Sequence, residues 1–450
     1  MKQGALVLAG AAGLLLLSCA TLSPQARLHE DLALARQHAG AQQVSLAADE
    51  YGKALDLDPT NLEALRGYVQ SCRAAGRLDE AKARFQHAVE KAPGDAYAHE
   101  GLGLVDYARG QSGESAKKQL GAAARLAPKI ADFHYRLGVL LVDQDDWENA
   151  KAELEQAVGL DANQPRYRLP FAVALARSGE EEAAIAQLTT VLSLNPTPAE
   201  VAMAAKTARM LTDPFRGFPH AAREQFRQAL DWLDSGSPKQ AEAVLEKLAQ
   251  EYPDLAIVRA TLGLTAAKMD EPGQAIVEFQ RAIDLGPELA EPRIYLGDVY
   301  FSHGRPQKAI PYYRAALARN PFLPDAYLRL AQAHLKDGEK AQAAQRFETY
   351  LLLRPGNLDA SLEYATILGD LGSPKAGATW DHLVQVFPRE PMVLIGRGRW
   401  YSGAAILAKT HEARLAAWNK AKESLDKALD LDPRNETAAG MLSALEKQHP

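Results

Sequence analysis

The chain has 450 residues, of which 47% are hydrophobic and 24% charged, with a formal net charge of −6 at neutral pH. An acidic balance of this kind argues against nucleic acid as a partner. Two cysteines, Cys19 and Cys72, exclude a disulfide-built scaffold.

The first predicted element is an apolar run. Lys2 is the only charge before a stretch of Gly, Ala, Leu and Val from Gly4 to Leu17. A helix needs roughly 20 apolar residues to span a bilayer, so this run has instead the length and basic start of a signal-peptide core. It ends Leu16-Leu17-Ser18-Cys19, which resembles the bacterial lipobox. That resemblance implies removal of residues 1–18 and lipidation of Cys19. Three acyl chains would exceed the two signals that stable anchoring takes. Ala20, in place of an Asp after the cysteine, points to the outer membrane. The competing reading is an uncleaved anchor helix with an incidental cysteine. If Cys19 carries lipid, Cys72 has no partner and reads as a small buried hydrophobe. Residues 19–27 form the modified cysteine and a tether, which at about 3.4 Å per residue keeps the next element within roughly 30 Å of the bilayer.

Prolines then recur at Pro59, Pro93, Pro128, Pro196, Pro253, Pro287, Pro321, Pro355, Pro388 and Pro433. Most intervals are 33 to 35 residues, and the missing member falls on Ala162. Such a period means one helix-turn-helix unit repeated, each burying its apolar face against its neighbours. The clearest unit has Leu296, Gly297 and Tyr300 on its first helix and Gly304 in its turn. Ala309, Tyr313 and Ala316 lie on its second helix, and Pro321 closes it. Gly297 and Ala309 let backbones approach, and Pro321 ends the helix because it has no N–H to give. The set returns as Gly263, Ala275, Phe279 and Ala282, and as Gly138, Ala150, Leu154 and Ala157. This spacing resembles the tetratricopeptide repeat (TPR), whose pattern is W-x2-L-G-x2-Y, A-x3-F and P. Arg293 stands in place of the Trp. The resemblance implies an all-α superhelical solenoid of about ten to eleven repeats.

Five units occupy residues 28–196. Residues 197–221 break the phase with one helix, Ala199 to Leu211, and then Asp213-Pro214-Phe215-Arg216-Gly217-Phe218-Pro219-His220, which cannot continue it. A second array fills 222–388. Residues 389–450 hold a final repeat about 11 residues too long, its first helix lengthened or split around Gly396, Gly398 and Gly403. A capping helix from Glu436 to Lys447 follows.

Little in the chain suggests catalysis, a cofactor or a metal. The eleven histidines lack the H-E-x-x-H spacing of a helical zinc site. Gly101-Leu102-Gly103 and Gly396-Arg397-Gly398 lack the third glycine of a dinucleotide loop and the Gly-Lys-Ser/Thr of a phosphate loop. The runs Asp145-Asp146 and Glu180-Glu181-Glu182 sit where second helices begin, and negative charge is favourable at that end.

Binding remains. In the family it resembles, first helices line an inner surface, and the matching positions in the second array are Phe226, Leu230, Leu233, Leu264, Ile294, Phe301, Leu328 and Leu335. They read as an apolar groove for an amphipathic helix or an extended peptide, or as packing between first helices. The first array is more mixed: Tyr107, Tyr135, Val139 and Asp143 beside Arg66, Gln70 and Arg73. The Lys and Asn clamp of chaperone-binding relatives is absent, since Ile294, Asp298, Leu328 and Gln332 stand there. The linker aromatics Phe215 and Phe218 are either a partner contact or buried. These features together suggest a lipid-anchored scaffold of the bacterial envelope that helps assemble an outer-membrane, secretion, pilus or polysaccharide-export complex. The alternative is an adaptor that recruits periplasmic cell-wall hydrolases or proteases.

Overall fold

The computed structural model describes residues 23–110, 113–215 and 218–448. The signal peptide, Cys19 and the start of the tether lie outside them. The described residues form 24 helices and no strands. Eleven helix-turn-helix pairs run from Pro24–Gly40 with Val44–Leu57 to Pro391–Leu407 with His411–Leu431. Helix Pro198–Leu211 stands between the fifth and sixth pairs, and helix Glu436–Glu446 follows the last.

Several helix starts carry short polar caps, and others, such as Pro238–Glu251 and Pro324–Lys336, open on a proline instead. Asn61, Asp95, Asn357 and Asn435 each accept a backbone N–H of the first turn. The hairpin turn is set by one left-handed residue. Gly76, Gly110, Gly179, Gly236, Gly304, Gly338 and Gly372 all have φ between +61° and +83°. Gln42, Asp145 and Asp270 fill the same place in three other repeats. At Gly304 this conformation lets Arg305 N–H donate to Tyr300 O at 2.9 Å, closing the first helix. Glycine reaches such φ without steric cost.

Within a repeat the two helices meet through a glycine under a large side chain. A Cβ on Gly138, Gly263 or Gly297 would stand 2.5, 2.6 and 2.6 Å from Leu154, Phe279 and Tyr313 respectively. Those three side chains are fully buried.

The last repeat keeps this contact but displaces it. Gly398 faces Leu425, and Gly396 faces Trp380 of the preceding repeat. The last repeat's first helix is lengthened and not split. Helix Pro391–Leu407 runs unbroken through its glycines for 17 residues, and His411–Leu431 for 21, against 13 and 14 in Ala256–Lys268 and Pro272–Leu285. Both helices absorb the surplus, because these glycines serve close packing and not a turn.

The chain divides into two compact units between Glu200 and Val201, inside helix Pro198–Leu211. The first holds five pairs. In the second, Thr212 ends that helix and its Oγ1 accepts a hydrogen bond from Asn320 Nδ2 at 3.2 Å, both residues being buried. The phase break is thereby fastened to the turn before Phe322.

Candidate functional site: two helix faces

The second unit presents the apolar face. Leu264, Phe301, Leu328 and Leu335 lie on three successive first helices and are half-buried. Leu264 shares a cleft of about 370 Å³ with Tyr295, Asp298, Val299 and Phe279. Asp298 is one of the polar groups of that cleft, with Asp270, Ser302 and His303. It accepts from Tyr313 Oη at 2.8 Å and from Arg329 Nε at 2.7 Å. Burial raises its pKa, and these two donors pull the other way. Lys336 lies 4.8 Å from the centre of the Phe301 ring, a cation–π contact on the same face.

The other sequence candidates are placed differently. Ile294 is buried in one core cluster with Phe301, Leu328 and Leu335 around it. Phe226 and Leu233 are buried with Phe218 and Leu245. These three side chains hold helices together and offer no surface in this state. Leu230 is exposed and lines a separate cleft of about 400 Å³ with Phe215, Arg223 and Arg227. The linker aromatics divide: Phe218 is buried, whereas Phe215 is 47% exposed.

The first unit presents a charged face. Tyr135 packs on Tyr167 with ring centres 5.0 Å apart, and the guanidinium groups of Arg136 and Arg166 lie over it. Tyr107 is exposed and its hydroxyl donates to Asp143. Asp132, not singled out in the sequence, forms ion pairs with Arg66 Nη2 at 2.5 Å and with Arg166 Nη2 at 2.9 Å. Glu100, also missed, is fully buried among these groups. Burial pushes its carboxyl up to about 8, against the pull of Arg136 and Arg66. One signal was available: Glu100 follows Arg66 by one 34-residue period.

The histidines here are structural. His99 and His134 each place one ring nitrogen beside the carbonyl of Pro93 or Pro128, and the other beside Gln119 or Glu153. Arg168 does the same with Ala162 and Gln187 one repeat later. Glu153 raises the pKa of His134. Among the described residues no His, Cys, Asp and Glu group could hold a metal, and no helix is long and apolar enough to cross a membrane.

Comparison with known proteins fits this architecture. Two family models described as tetratricopeptide repeat match residues 38–104 and 300–360, and residues 100–165, 135–197 and 260–324. BBSome complex member BBS4 is 41% identical over 86 residues in Bos taurus and 38% in Mus musculus. That stretch is 19% of this chain and spans 16% of the length of those relatives. Among solved structures, YrrB, described as a TPR protein with an unusual peptide-binding site, is 20% identical with a TM-score of 0.37. The match covers 44% of this chain and 96% of YrrB. A chain of the APC/C hetero-tetramer Cut9–Hcn1 is 13% identical with a TM-score of 0.32, covering 92% and 95%. The repeat matches together take in more than half of the chain, which belongs to the tetratricopeptide repeat family.

Proposed function

We propose that this protein is a scaffold of the bacterial envelope. Acyl chains on Cys19 would hold it to the membrane, most simply the outer membrane, and its second unit would grip a segment of a partner. The observation that carries this reading is the half-buried stripe Leu264, Phe301, Leu328 and Leu335 beside the Asp298 cleft. Half-buried aliphatic and aromatic side chains on parallel helices suit the apolar face of an amphipathic helix. The partner would be a component of a secretion, pilus, export or outer-membrane assembly machine.

Crosslinking in intact envelopes, followed by purification through a C-terminal tag, tests the proposal. A secretin, export pore or assembly component should be recovered, and the double substitution Leu328→Asp, Leu335→Asp should abolish its recovery. Recovery of wall hydrolases instead would replace the scaffold with an adaptor. The anchor is tested separately. Cys19→Ala should leave the protein soluble or as an uncut precursor; normal processing with normal membrane retention would refute lipidation.

A further inference from the structure

The first helices of the first unit carry charges that packing does not require. Glu100 lies on helix Ala96–Ala108, and neither of its carboxyl oxygens has a hydrogen-bond partner. On the preceding first helix, Leu62–Ala74, Arg66 Nε is buried without an acceptor; on the next, Ala131–Asp143, so is Arg136 Nε. Buried donors and buried acceptors thus share one cluster and do not meet. Leaving either kind unpaired is costly.

Arg66 is engaged elsewhere. Its Nη2 lies 2.5 Å from Asp132 Oδ2 in an ion pair that is not aligned as a hydrogen bond, while Arg166 on helix Pro165–Arg177 donates to both Asp132 oxygens. Asp132 therefore ties together the first helices of the second, fourth and fifth repeats, across the third, which carries Glu100. The charged groups acting on Glu100 from the helices around it are Arg136 and Arg66, which favour its ionised form, and Asp132, which opposes it.

We propose that Glu100 and Asp132 compete for Arg66, so that this face is a two-position latch worked by one proton. With Glu100 protonated, Arg66 holds Asp132 and the tie across the third repeat is closed. When Glu100 gives its proton to solvent, the free Nε–H groups of Arg66 and Arg136 turn onto the new carboxylate. Asp132 is then left to Arg166 alone. Burial keeps Glu100 protonated to about pH 8, so the latch is closed at neutral pH and opens in mild alkali. This device is independent of which partner the second unit binds.

The test is carboxyl NMR on the full-length chain labelled with ¹³C at Asp and Glu side chains. Spectra are followed from about pH 6 to about pH 10, spanning the titration expected of a buried carboxyl. Glu100→Gln and Asp132→Asn assign the two resonances. The Asp132 resonance should move in step with the titration of Glu100. It should stay still over the same range in Glu100→Gln, and in Arg66→Gln while Glu100 itself still titrates. An unmoved Asp132 in the unaltered chain would overturn the latch. So would movement that persists in Glu100→Gln, or titration of Glu100 in the ordinary carboxylate range.

Discussion

Gly297→Leu should destabilise the eighth repeat by roughly 2–5 kcal/mol, the sum of overpacking and of a polar group deprived of its bond. Even the first carbon of the new side chain would stand 2.6 Å from Tyr313 Cε1 and 2.9 Å from its Cδ1. Tyr313 is fully buried and cannot swing into solvent. Its hydroxyl donates to Asp298, and Asp298 is held by Arg329 of the ninth repeat. Pushing the ring aside therefore breaks the contact within one repeat and loosens the bond to the next. The measurement is amide hydrogen exchange in helices Glu291–Ser302 and Pro306–Arg319, since a repeat array does not unfold as one two-state body. Gly440→Ala is the control. Apart from its chain neighbours and its own helix backbone, nothing lies within 4 Å of a Cβ built at Gly440, in the middle of helix Glu436–Glu446. Alanine there should stabilise that helix by about 0.5–1 kcal/mol. Unchanged exchange around Gly297 would mean that the repeats are packed in another phase.

The contrast between these two glycines explains what could be read from the sequence. A repeat imposes the same packing duty every 34 positions, so Gly297 under Tyr313, Gly263 under Phe279 and Gly138 under Leu154 announce themselves by recurrence. The left-handed turn residue recurs in the same way, even where Gln42, Asp145 or Asp270 fills it. Recurrence failed where one spacing serves two ends. Phe226, Leu233 and Ile294 repeat on the same helix face as Leu264 and Leu328, but neighbouring helices cover the first three and leave the others half open. No period within one helix reports what the next helix covers. Gly396 and Gly398 left a related choice open. They allowed a lengthened or a split helix, and Trp380 and Leu425 closing over them accompany the lengthened one.

The charged cluster was only partly legible, for a different cause. Arg66 and Asp132 belong to repeats two apart, and neither side chain is unusual by itself. Their meeting depends on first helices lining one face in succession, with the chain free to cross over the repeat between. Only residues laid repeat upon repeat show an acid, Glu100, standing in the register of a base, Arg66. The apolar stripe of the second unit and the charged face of the first therefore differ in kind. One leaves apolar side chains half open, while the other buries charged groups, some of them unpaired.

Glu100→Gln should stabilise the first unit, and the gain should grow with pH. The folded chain holds this carboxyl at about 8, well above its ordinary value of 4.5. Between those two values the folded state binds the proton and the unfolded state has lost it. Stability is therefore full below about pH 4.5, falls as pH rises towards 8, and levels off beyond it. The slope of that loss is about 1.4 kcal/mol per pH unit where it is steepest. Glutamine keeps the shape of the protonated acid and cannot ionise in either state, so the variant lacks the decline. At pH 5 the two proteins should differ little, with a small cost for burying the amide. At pH 8 the variant should be ahead by a few kcal/mol. Hydrogen exchange in helices Ala96–Ala108 and Ala131–Asp143, compared at both pH values after correction for intrinsic rates, reads the difference directly. A gap that is the same at both would mean that Glu100 ionises alike in the folded and unfolded chains, its charge being matched by Arg66 and Arg136 without reorganisation. A gap that widens with pH would show that this face keeps an acid whose ionisation opposes folding.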